Sequence, residues 1–176
     1  MTWIQTVPFN EATGELRKFF ENDQHKNGYV QHILQALSLR PEALITLTTF
    51  RTTFAGDRSL LGRRKEELIH TVVSLTNGSR HCTNSHGEKL HKQDGDLAEQ
   101  VLRDWRRAPL TVDEQAMLEF CEKLTRRADP MCQEDVDRLR AAGFSDDEIL
   151  EIVLHVGYRL FMNAVADALG VEDEPG

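Results

Sequence analysis

Between Ile149 and Leu169 the chain carries a helix-length segment that is apolar nearly all round, with Ile149, Ile152, Val153, Val156, Leu160 and Met162 falling on different faces. Ser145-Asp146-Asp147-Glu148 supplies a capping sequence ahead of it, and Gly170 a stop behind it. A helix with so little polar surface is stable in water only when other elements surround it, in a core or in a subunit interface. The rest of the chain must therefore provide amphipathic partners.

It does so along its length. Leu16, Phe19 and Phe20 mark a helix starting near Thr13. Val30, Ile33, Leu34 and Leu37 have one-face spacing and predict a second over Tyr29 to Leu37. Pro41 opens a third, to about Phe54, on Leu44, Leu47 and Phe50, although its many threonines lower helicity. A fourth runs from about Leu61, capped by Ser59 or a neighbour, to Thr76, where Asn77-Gly78 accepts positive φ and stops it. Ser79 caps a fifth, to about His91. Three more are expected: Leu97 to Trp105, the capping box at Thr111 to about Ala128, and Cys132 to Ala142. No stretch alternates as a strand does, and no repeat or low-complexity linker divides the chain. At 176 residues this predicts one all-α domain, 1–176, with 1–12 and 171–176 as loosely attached ends.

Charge narrows the partners. With 21 basic against 29 acidic residues the net charge is −8, which argues against nucleic acid. No uninterrupted apolar run approaches the roughly 20 residues that span a bilayer, so no membrane partner is expected. The first eight residues lack the basic and apolar regions of a signal peptide, and a cytoplasmic address is the expectation. Three cysteines, Cys82, Cys121 and Cys132, are too few and too scattered for a disulfide framework.

The chemistry-bearing residues gather at the junction of the fourth and fifth helices. Glu67, Thr71, Ser74 and Gly78 follow one another at spacings of four, three and four, a polar stripe leading to the glycine break. Cys82 falls in the first turn of the next helix, where free N–H groups and the positive end of the helix dipole stabilise a thiolate. His86, one turn on, lies over the same face and can take the thiol proton; Glu67 can orient it or relay its proton. Ser79 can donate a hydrogen bond to the sulfur, and His81 points elsewhere. The plainer alternatives are a cysteine that merely fills the core and a Glu67 paired on the surface with the neighbouring Arg63, Arg64 or Lys65. Zinc bound by Cys82, His86 and His81 or His91 is a weaker option, because there is no second cysteine pair. His86 to His91 is not the zincin pattern, the glutamate being displaced by one. No metal or cofactor is expected.

The segment from Glu67 through Ser79-Arg80-His81-Cys82-Thr83-Asn84-Ser85-His86 resembles the signature of alkylhydroperoxidase D-like proteins of the carboxymuconolactone decarboxylase superfamily, and more narrowly the uncharacterised peroxidase-related branch. That pattern is a glutamate, then Cys-x-x-Cys-x-x-x-His. Leu110 to Glu114 and Asn163 to Gly170 are also typical of the branch. The resemblance implies an all-α alkylhydroperoxidase D-like fold and reduction of a small-molecule peroxide at Cys82. It further implies His86 and Glu67 as a proton relay, and a homo-oligomer, trimer or hexamer. It also exposes a departure: Ser79 stands where the first cysteine belongs. A sulfenic acid on Cys82 would need an external thiol reductant, since Cys121 and Cys132 read as scaffold. Two rivals remain open on the same fold: an acid–base enzyme of the lactone decarboxylase kind using His86 and Glu67, and a non-catalytic binding protein.

Overall fold

The computed structural model describes residues 2–174, and among these all regular structure is helical. The α-helices are α1 (Gly14–Asn27), α2 (His32–Gln35), α3 (Pro41–Arg51), α4 (Gly62–Asn77), α5 (Arg80–Gln93), α6 (Gly95–Asp104), α7 (Val112–Arg126), α8 (Gln133–Ala141) and α9 (Asp146–Leu169). The all-α expectation holds.

Helix α4 packs against α5, α6, α7 and α9, and α9 in turn against α2, α5, α7 and α8. Two apolar clusters result. Leu68, Ile69, Val72, Leu118, Leu139 and Ile152 belong to one; Phe20, Leu44, Phe54, Cys82, Tyr158 and Met162 belong to the other. The N-terminal half of α9 serves the first cluster through Ile152 and Val156, and its C-terminal half serves the second through Tyr158, Met162 and Ala166. By length and composition α9 is long and apolar enough to cross a membrane. Here it is a core helix, with Glu151, His155, Arg159 and Asn163 all buried along it.

Two helices are shorter than their sequence pattern predicts. The expected helix over Tyr29 to Leu37 is reduced to α2, because Asp23 accepts the N–H of Gln31 at 2.8 Å and fixes that residue as the helix entrance. Helix α3 ends at Arg51 rather than near Phe54. Thr48, Thr52 and Thr53 turn their hydroxyls onto backbone carbonyls of the preceding turn, at 2.8, 2.7 and 2.7 Å, and so compete with the helix that carries them. At the start of α4 no side chain caps Leu61, but Ser59 Oγ accepts the Gly62 N–H at 3.1 Å.

Hydrogen bonds join both ends to the helices as far as they are described. Trp3 donates its N–H to Leu169 O at 2.8 Å, and Val7 donates its own to Ser38 Oγ at 2.8 Å. At the other end Glu174 accepts the His32 N–H at 3.0 Å and Asp173 accepts from Asn84 at 3.0 Å. Residues 1, 175 and 176 lie outside the described residues.

Candidate active site

Helices α4 and α5 form a tight antiparallel hairpin. Gly78 closes it at φ 76°, bonding Leu75 O at 3.2 Å, while the Ser79 N–H reaches back to Ser74 O at 3.0 Å. A side chain at position 78 would be strained in that left-handed conformation. The return of the chain lays α5 along α4, and the pair that the sequence set on opposite sides of the turn meets: His86 Nδ1 lies 2.5 Å from Glu67 Oε2. Cys82, one turn before His86, is buried among apolar neighbours, yet both side chains line one cavity of about 640 Å³.

Burial raises the Glu67 carboxyl above its ordinary range, partly opposed by Lys89, Arg159 and Arg51. Burial, reinforced by Arg159 and Lys89, drives His86 well below the ordinary imidazole value. Both groups are thus pushed toward neutrality while sharing one hydrogen bond. With Glu67 ionised and Nδ1–H donating, Nε2 presents a lone pair and acts as a base. With Glu67 protonated and donating to Nδ1, Nε2–H acts as an acid. The pair can take up and return one proton without forming a buried imidazolium.

Helix α9 supplies what the sequence reading of α4 and α5 lacked. Arg159, only 5% exposed, also lines the cavity. Burial pushes its guanidinium down from the usual arginine range, while attraction to Cys82 and Tyr158 holds it up. Arg159 and Cys82 thus line one cavity and attract each other electrostatically. Arg159 belongs to a stripe at every fourth residue of α9. Glu151 accepts the Ser59 hydroxyl at 2.6 Å, His155 Nδ1 meets His70 Nε2 at 3.0 Å, Asn163 accepts the Ser74 hydroxyl at 3.2 Å, and Asp167 accepts the Ser79 hydroxyl at 2.8 Å. This stripe was readable as an i, i+4 series in the sequence, but the apolar residues between its members masked it.

Ser79 therefore spends its hydroxyl proton on Asp167. His81 turns away from the cavity's reacting groups: its Nδ1 meets Glu172 O at 2.9 Å and its Nε2 faces Glu174 at 3.8 Å, so it anchors the C-terminal segment. Cys121 is fully buried in the other apolar cluster, where desolvation pushes its thiol far above the usual range. Cys132 is exposed beside Glu134 and Asp135, whose carboxylates raise it.

A metal has a possible seat in Glu67, His70 and His86, whose ligand atoms lie within 4.8 Å of one another. Tetrahedral zinc would draw such atoms to about 3.4 Å apart. It would also have to open the Glu67–His86 bond, so the residues as placed fit a proton relay better than a metal centre.

No family model matches the chain, and no curated protein matches it significantly. Solved structures do. An uncharacterised peroxidase-related protein from Silicibacter sp. TM1040 superposes with a TM-score of 0.88 at 29% identity, over 98% of this chain and 92% of that one. An uncharacterised peroxidase-related protein from Ralstonia eutropha JMP134, described as an alkylhydroperoxidase core, gives 0.88 at 21% over the same shares, 98% and 92%. A debrominase, solved as a cysteine-to-alanine variant with 2,3,4-tribromopyrrole, gives 0.78 at 15%, over 96% of this chain and 90% of that one, and shares the fold. The architecture is thus that of the alkylhydroperoxidase D-like all-α proteins. In sequence and fold the chain is similar to an uncharacterised peroxidase-related protein, and in fold to the alkylhydroperoxidase core.

Proposed function

We propose that the chain is a thiol oxidoreductase that reduces a small hydroperoxide at Cys82. The observation that carries this reading is the 2.5 Å Glu67–His86 pair, whose imidazole lines the same cavity as Cys82 and Arg159. His86 Nε2 takes the thiol proton and Arg159 stabilises the resulting thiolate. The sulfur attacks the outer peroxide oxygen; an S–O bond forms, the O–O bond breaks, and the departing alkoxide recovers the proton held by His86 and Glu67. Peroxide becomes alcohol and Cys82 becomes a sulfenic acid. Ser79 offers no thiol and Cys121 is sealed in the core. An external thiol must therefore displace water to give a mixed disulfide, and a second thiol then releases Cys82.

The test is to treat purified protein with substoichiometric hydroperoxide, trap sulfenic acid with dimedone and locate it by mass spectrometry. Labelling at Cys82, slowed about 100-fold in Glu67→Gln, is expected. Equal labelling of Cys82 and Cys132 would refute the reading.

One observation favours a second reading, because the carboxylate–imidazole pair is complete without the sulfur. An acid–base enzyme of the lactone decarboxylase kind would use that pair alone, and Cys82→Ser would then keep full activity. A cytoplasmic site of action and a homo-oligomeric state complete the proposal. Leu150, Val153 and Phe161 form an exposed apolar face on α9 suited to subunit contact.

A further inference from the structure

The cavity is unlike the rest of the molecule in charge. The chain carries −8 overall, yet its cavity is lined by Lys26, Arg51, Arg63, Lys89 and Arg159 against one acid, Asp23. That acid is already engaged, accepting from Asn27 at 2.8 Å and from the Gln31 backbone and side chain at 2.8 Å each. Several cations elsewhere sit on carboxylates, Arg64 on Glu114 at 2.7 Å, Lys65 on Asp113 at 2.9 Å and Lys123 on Asp135 at 2.6 Å, and Arg63 at the cavity's edge pairs with Asp57 at 3.3 Å. Among the described residues, Arg51, Lys89 and Arg159 have no carboxylate within ion-pair distance, and Arg159 Nε is buried without a hydrogen-bond partner.

These three come from α3, α5 and α9, and all act electrostatically on both Glu67 and His86, so their charge converges on one place. The reaction's own anions do not balance it. A Cys82 thiolate with an ionised Glu67 gives two negative charges against three positive ones, and with Glu67 protonated only one. Lys89 is exposed and Arg51 half-buried, so water screens both, but Arg159 is buried, and a buried cation without a carboxylate is costly unless an anion approaches it.

We infer that the substrate is a small organic anion whose carboxylate is gripped by Arg51, Lys89 and Arg159 while its reactive end faces Cys82. This inference rests on the cavity being the active site of the proposed reaction, but it concerns binding and can be read without turnover. Planar guanidinium groups from two directions suit a carboxylate, and the cavity has room for a carboxylic acid of aromatic size.

Binding is measured by calorimetry on the intact Cys82→Ala protein, with p-isopropylbenzoate and its methyl ester as probes. The acid should bind at least about tenfold more tightly than the ester, weaken as salt rises, and lose about tenfold again in Arg51→Gln and in Lys89→Gln. Circular dichroism melts show whether those variants are folded, and binding of acid against ester by the Cys82→Ala protein alone decides if one is not. On the wild-type protein, p-carboxycumene hydroperoxide and cumene hydroperoxide present one reacting centre with and without the carboxylate. The ratio of their rates should favour the acid and fall in both variants. Equal binding of acid and ester, or binding of neither, would overturn the inference. Selective binding of the acid with no oxidation of Cys82 would leave it standing and instead remove the peroxidase reading.

Discussion

Mild acid should destabilise this protein well before its carboxylates titrate. His70 and His86 are 0% and 4% exposed, and burial, with help from the cavity cations, holds both well below 6.5. In the unfolded chain the same rings titrate near 6.5. As pH falls from 7.0 to 5.5 the unfolded state therefore binds protons that the folded state refuses, and stability drops with pH. Each ring that stays neutral when folded contributes a loss of about 1.3 kcal/mol over that window, about 2.5 kcal/mol for the two. His155 is lowered in the same direction and adds to the loss. Glu67 is raised, so folding favours its protonated form and acidification returns part of what the imidazoles lose. Against a total of about 5–15 kcal/mol the effect is large, and at 2–4 °C per kcal/mol it amounts to about 5–10 °C in Tm. Urea melts at pH 7.0 and 5.5 measure it, with His70→Gln alongside. The variant loses its bond to His155 and is weaker at both pH values, but its loss between them should be smaller by about 1.3 kcal/mol. A wild-type midpoint that does not move, or an identical loss in the variant, would show that these rings are not held neutral.

Replacing Ser79 by cysteine restores the missing thiol three residues before Cys82; hydroperoxide should then consume two thiols per chain and give an intramolecular disulfide on peptide mapping, where wild type gives none. Phe161→Glu places a charge on the exposed face of α9, where Phe161 is 47% exposed. Light scattering should show a smaller particle than wild type, while the far-ultraviolet circular dichroism stays the same.

How much could be read in advance differs by level. Helix type and order followed from periodicity and capping, because Gly78, Thr111, Ser145 and Gly170 each carry a local signal that tertiary packing does not override. The Glu67–His86 contact followed because a glycine hairpin makes close packing of its two arms nearly obligatory. Arg159 did not follow. Its meaning depends on α9 lying across α4 and α5, and no local pattern states which helix will do so. The assignment of Ser79 to the sulfur failed for the same reason: Asp167 reaches it from α9. His81 binds a chain end that has no helical period to reveal its position.

The polar seam explains how one helix can be both core and the wall of the candidate site. Buried side-chain atoms left without a partner include His70 Nδ1, Thr71 Oγ1, His155 Nε2, Arg159 Nε and Asn163 Nδ2, and all five lie on α4 or α9. Each such atom costs on the order of 1–3 kcal/mol when no water or ligand reaches it. A seam shaped for stability alone would carry leucine or alanine at these positions, as the apolar face joining Leu68 and Ile152 does. The incompletely satisfied groups lie instead along the seam between α4 and α9, which reaches the cavity at Arg159 and, through the His70 ring packed on His86, at His86. Stability is given up along this seam and nowhere comparable in the apolar cluster of Leu118 and Leu139, the pattern that the proposed chemistry predicts.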